Sequence, residues 1–149
     1  MKIDERIEPL VRAVLDAAVQ RDAARFDEAI TRLSGPVELQ EGVQLAVTIC
    51  AFVVFDVHSG APTSVQIQEI AGDIERQESW IGPSSAEVAS FLDALVQRRS
   101  IADVLSQEAV IVLPFVIAAN LLTTASQQEQ GEWWFNYLDK VEAAIEAAG

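Results

Sequence analysis

The chain has 149 residues, half of them apolar, 22% charged and only 7% aromatic, with a formal charge of −13. Such a balance excludes a disordered or low-complexity chain, and the length fits one domain that removes roughly 70% of its unfolded surface from water. The acidity repels phosphate backbones and anionic lipid, so neither nucleic acid nor a membrane surface is an expected partner, whereas a basic protein face would be attracted.

Charge is unevenly spread. Residues 1–34 hold six basic and seven acidic side chains, and residues 35–149 hold four against sixteen; no Lys or Arg occurs from Leu33 to Glu75 or from Ser100 to Asp139. A single cysteine, Cys50, rules out an intramolecular disulfide and a multi-thiolate zinc site, and it suits a reducing cytoplasm. The first twenty residues read as an amphipathic helix, without the basic start and unbroken apolar stretch of a secretory signal.

In chain order, Ile7, Leu10, Val11, Val14 and Leu15 recur at helical spacing. They predict a first helix whose regular part begins near Glu8 or Pro9, because proline cannot donate an interior helical bond. Asp22 suits the N-cap of a second helix facing inward through Phe26, Ile30 and Leu33. Ser34 to Pro36 should end it, with Gly35 in a left-handed position and Pro36 opening the next helix. A third helix is expected over about residues 37–58; twelve of the fifteen residues from Val43 to Val57 are apolar, which predicts burial on all sides.

Thr63 or Ser64 can cap a fourth helix, with Ile67, Ile70, Ala71 and Ile74 inward and Glu69, Asp73, Glu75, Arg76 and Glu78 in water. Ser84 and Glu87 have capping-box spacing and open a fifth helix on Val88, Phe91, Leu92 and Leu95, with Arg98 and Arg99 favourably placed at its C-terminal end. Ser100 is the expected cap of a sixth helix over about residues 101–124, kinked by Pro114 and apolar from Ala109 to Leu122 except for Asn120. A last helix from about Gly131 to Ala148 aligns Trp134, Tyr137, Leu138, Val141 and Ile145.

The expected fold class is therefore all-α: one domain over residues 1–149, a bundle of about seven helices with two buried central helices, about 37–58 and 101–124. The stretch from Phe26 echoes the stretch from Phe91, with Glu41 and Glu108 in equivalent places, so a duplication into two three-helix repeats of about 65 residues and a chance convergence both fit. Each central apolar run falls short of the roughly 18 to 20 apolar residues of a membrane span, neither has a basic flank, and no membrane is expected.

Chemistry-bearing residues are few. His58 is the only histidine, and Cys50 lies about 12 Å from it by helical rise, too far for proton transfer. No Glu-x-x-His pair, glycine-rich phosphate loop, nucleophile elbow or Cys-x-x-Cys occurs, so no catalytic residue, metal or cofactor is assigned. Asp56 and Asn120 are polar residues in or at the end of apolar runs; if buried, they need partners and could specify packing or line a pocket. Trp133, Trp134, Phe135 and Tyr137 form the densest aromatic cluster, in which Trp134 and Tyr137 belong to the inner stripe and Trp133 and Phe135 do not.

Two functions follow as expectations. The first is a non-enzymatic cytoplasmic interaction domain, of inhibitor, immunity or adaptor type, that docks a basic partner through Trp133 and Phe135 with Glu129 and Glu132 in the rim. The second is a small-molecule binding domain with an apolar pocket between the third, sixth and seventh helices. A homodimer is compatible with either, since the mean hydropathy of +0.22 suggests apolar surface covered by another copy.

Overall fold

The helical periodicities resolve into α1 (Glu8–Val19), α2 (Ala23–Thr31), α3 (Pro36–Val57), α4 (Ser64–Gln77), α5 (Ser85–Gln97), α6 (Gln107–Ala125) and α7 (Trp134–Ala148), with 3-10 turns at Ile101–Asp103 and Gln128–Gln130. This is a computed structural model, it describes residues 1–149, and it contains no strand. Local chemistry accounts for most of the starts. Asp22 Oδ1 accepts from the Arg25 amide at 3.1 Å, and Thr63 with Gln66 and Ser84 with Glu87 form reciprocal capping boxes.

Three boundaries differ from the sequence expectation. The sixth helix begins at Gln107, not near residue 101, because Ser106 Oγ accepts from the Ala109 amide at 3.2 Å, while the preceding 3-10 turn seats Ile101 in the core. The last helix begins at Trp134 because Gly131 takes a left-handed φ of +83°, which closes a turn and cannot start a helix; Trp133 N–H then donates to Asn136 Oδ1 at 3.0 Å. Gly35 is extended, at φ −100° and ψ 154°, and serves as the N-cap of α3; the left-handed helix end falls instead on Arg98, at φ +57° after α5.

At the centre is α6, in which every residue from Leu113 to Leu122 is buried. α1, α3, α5 and α7 pack around it, α2 lies on α1, and α4 lies on α5. Where α3 meets α6, the Cys50 thiol donates to the Pro114 carbonyl at 3.3 Å, and burial pushes its pKa far above the ordinary thiol value. Cys50 is thus a packing residue.

The expectation that α3 is buried all round does not hold. Leu45, Ala46, Ile49, Cys50, Val53 and Val54 face inward, whereas Thr48, Ala51, Phe52 and Phe55 are half-buried and Asp56 and Val57 are exposed. Its neighbours α6, α7, α1 and α5 leave one apolar strip uncovered. Both α3 and α6 are long and apolar enough to cross a membrane by length and composition; in α6 that apolar surface is taken up by other helices.

Glu78, expected on the wet side of the fourth helix, is only 2% exposed. Its carboxylate accepts from Trp80 Nε1 at 2.7 Å, Asn120 Nδ2 at 2.8 Å and Arg21 Nη2 at 3.1 Å. Arg21 sits in the α1–α2 turn with φ +54°, and Trp80 packs edge-on to Phe26 of α2 with ring centroids 5.5 Å apart. One carboxylate therefore ties together the α1–α2 turn, the end of α4 and the C-terminal half of α6, and no buried side-chain N or O atom in the fold lacks a partner.

Glu78→Ala strips acceptors from buried donors and should destabilise the fold by about 3 kcal/mol, read as a lower urea midpoint at unchanged slope. Arg21→Ala removes a half-exposed partner and should cost clearly less.

Candidate functional site

The uncovered strip of α3 faces α7. Tyr137, in the first turn of α7, reaches Asp56, in the last turn of α3, so the two helices run antiparallel past each other. Between them lies an open groove of about 570 Å³ lined by Thr48, Ala51, Phe52, Phe55 and Asp56 of α3, Ala144, Ile145 and Ala148 of α7, and Met1. Three of these side chains are alanines, and their missing volume makes the depression; Phe52, Phe55 and Ile145 make its walls. From Thr48 to Asp56 the groove extends about 12 Å, a little over two helical turns.

Asp56 is the one charged side chain in that lining, and it enters no ion pair. The Tyr137 hydroxyl donates to Asp56 Oδ2 at 2.8 Å. Burial first, then the neighbouring carboxylate, raises the Tyr137 pKa well above the ordinary phenol value, so the hydroxyl stays a donor. Lys140, on the same helical row as Ala144, is taken by Glu132, whose carboxyl is held below the usual range by that lysine and by the Gln127 amide.

The other residues singled out in the sequence are dispersed. Asn120 is 5% exposed and donates to Gln77 Oε1 at 2.9 Å and to Glu78, so it belongs to the buried junction and does not meet Asp56. Trp133 and Phe135 are 54% and 43% exposed, Trp134 is half-buried and Tyr137 is buried. At 100° per residue Phe135 lies about 180° around α7 from Ala144, on the side away from the groove, and it rests edge-on against Trp134 at 5.9 Å. Trp133, one turn before Tyr137, stands at the helix entry, and Glu129 is exposed in the preceding 3-10 turn. The expected pocket between the third, sixth and seventh helices takes a different form: α6 contributes nothing to the lining, because its surface is already covered.

His58 caps the end of α3, where its Nδ1–H donates to the Val54 carbonyl at 2.8 Å. No three His, Cys, Asp or Glu side chains are grouped to hold a metal ion. Compared with family models, curated proteins and solved structures, the chain matches none.

The wall formed by α7 is fixed from behind by Arg12 of α1, which donates to Glu8 at 2.7 Å, Asp139 at 2.8 Å and Glu142 at 3.0 Å. Three carboxyls share one guanidinium, and Glu142 is the most enclosed. Burial first, then Glu8, pushes its pKa up to about 7. The unfolded chain releases that proton near 4.5, so between 4.5 and about 7 the folded state binds more protons. Raising the pH through that window therefore lowers stability, and above it the full cost, on the order of 1–3 kcal/mol, is present. Glu142→Gln should match the native chain near pH 4 and exceed it at pH 8 in denaturant midpoint; equal midpoints at both values would contradict this account.

Proposed function

We propose that the chain is a non-enzymatic interaction domain whose α3–α7 groove receives the apolar face of a basic, amphipathic partner helix. The observation that carries this reading is the pairing of an open apolar trough with a negative end: α3 has no basic residue, Asp56 enters no ion pair, and Lys140, one turn before Ala144, is bound to Glu132. A trough about 12 Å long accommodates the i, i+4 and i+7 side chains of one helix. Trp133 adds exposed aromatic surface at the α7 entry, in the role expected for an anchor, with Glu129 and Glu132 nearby. A reducing cytoplasm is the compartment proposed for it, on the free buried Cys50.

A second copy of the chain is a poorer occupant, because two molecules of charge −13 repel each other. A small apolar ligand is the second reading, supported by a groove volume within the roughly 300–1,000 Å³ of ligand pockets.

The test is fluorescence anisotropy with a labelled synthetic helix carrying leucines at i, i+4 and i+7 and lysines elsewhere. Ala144→Phe fills the groove and should weaken binding at least tenfold while leaving the helical circular dichroism intact. Undiminished binding by that variant, or equal binding of a peptide with glutamates in place of the lysines, would overturn the reading. Light scattering that shows a dimer broken by Ala144→Phe would assign the groove to self-association instead.

A further inference from the structure

We infer that Asp56, held by Tyr137, is a cation anchor that reads a single lysine or arginine on the segment in the groove and so sets the direction in which that segment lies. The inference rests on the groove reading and deepens it, from general attraction to one recognition contact.

Four observations lead there. Asp56 is the only charged side chain in a lining otherwise made of apolar side chains and Thr48, and the Met1 ammonium lies by Gly149, next to Ala148 and away from Asp56. It lies at one end of the groove, in the last turn of α3, so the contact is asymmetric along the groove axis. Its orientation is fixed: the Tyr137 hydroxyl holds Oδ2 at 2.8 Å, and α7 carries Tyr137 as a buried residue that cannot swing away. No cation of the chain neutralises it, although seven of the ten Lys and Arg side chains are engaged in ion pairs elsewhere.

A carboxylate in this setting has a defined remaining capacity. Oδ2 is occupied by the phenol, and Oδ1 makes no hydrogen bond within the chain. An ammonium or guanidinium arriving along the apolar trough would meet Oδ1 with the aromatic faces of Phe52 and Phe55 close by, where part of the surrounding water is displaced and the interaction is stronger than on an open surface. Tyr137 is a positioning residue: it donates a hydrogen bond and limits the rotamers of Asp56, so less entropy is lost when the cation docks.

The experiment is a double-mutant cycle by anisotropy at 0.15 M salt. Its probe is the synthetic leucine–lysine helix in which each lysine is replaced by glutamine in turn, and its proteins are the native chain, Asp56→Asn, Tyr137→Phe and Ala144→Phe. Asp56→Asn should weaken the parent peptide about three- to tenfold, and that loss should vanish when one particular lysine near one end has become glutamine, with coupling below about twofold at the other positions. Tyr137→Phe should give a smaller loss coupled to the same lysine, at unchanged helicity. Coupling spread evenly over all lysines, or none, overturns the anchor. If Ala144→Phe still abolishes binding in that case, the groove stands without it; if Ala144→Phe binds normally, the groove reading itself has failed and the anchor fails with it.

Discussion

A helix that is apolar on every side is stable in water only when other helices take its whole surface, and α6 imposes that requirement on the chain. α1, α3, α5 and α7 each present an inner face to it, and ten consecutive residues from Leu113 to Leu122 disappear from solvent. Once those four helices are committed to α6, none is left to cover the outer strip of α3. The groove is the consequence: Ala51, Phe52 and Phe55 are as apolar as a core stripe, but across the gap α7 offers the small side chains Ala144 and Ala148 beside Ile145. An exposed apolar concavity that a chain could have filled with larger residues is the kind of surface found at partner and ligand sites.

Two enclosed carboxylates tie helices together, one on the far side of α6 and one behind α7, and they work in different ways. Glu78 is enclosed and fully bonded to Arg21, Trp80 and Asn120, so it fixes how α4 and the α1–α2 turn sit on α6. Glu142 is enclosed and shares Arg12 with Glu8 and Asp139; burial first, then the neighbouring Glu8, pushes its pKa up to about 7. In the first arrangement one carboxyl meets three donors; in the second, three carboxyls share one guanidinium.

Legibility in the sequence followed the range of the interaction. The all-α class, the seven helices and the caps at Asp22, Thr63 and Ser84 depend on residues within four positions of one another, and periodicity with side-chain chemistry exposes them. Periodicity misplaces the start of α6, because Ile101, Val104 and Leu105 carry helical spacing while belonging to a 3-10 turn and its exit. Glu78 sits on the polar side of its helical pattern, and two of its donors, Arg21 and Asn120, are distant in the chain, so nothing local marks it as buried. The groove was invisible for the same reason: an alanine on α3 reads as filler until α7 brings two more alanines opposite. Asp56 stands out as a polar residue in an apolar run, but periodicity places its partner Tyr137 on the inner stripe and carries no hint of the bond between them.

Charge and apolar surface come from the same segments, and that coincidence bears on selectivity. An open trough of this kind would by itself invite a second copy of the chain, since apolar attraction has no direction and no preference among partners. The surrounding deficit of cations opposes that outcome and favours a basic helix, but at physiological salt the field decays within about 8 Å. Beyond that distance it steers encounters; within the groove, only charges in contact with the ligand can tell one sequence from another. Under the proposed reading, general acidity would therefore set which class of partner approaches, and the single carboxylate at the end of the trough, held by a phenol that cannot ionise near neutrality, would set which residue of that partner comes to rest there.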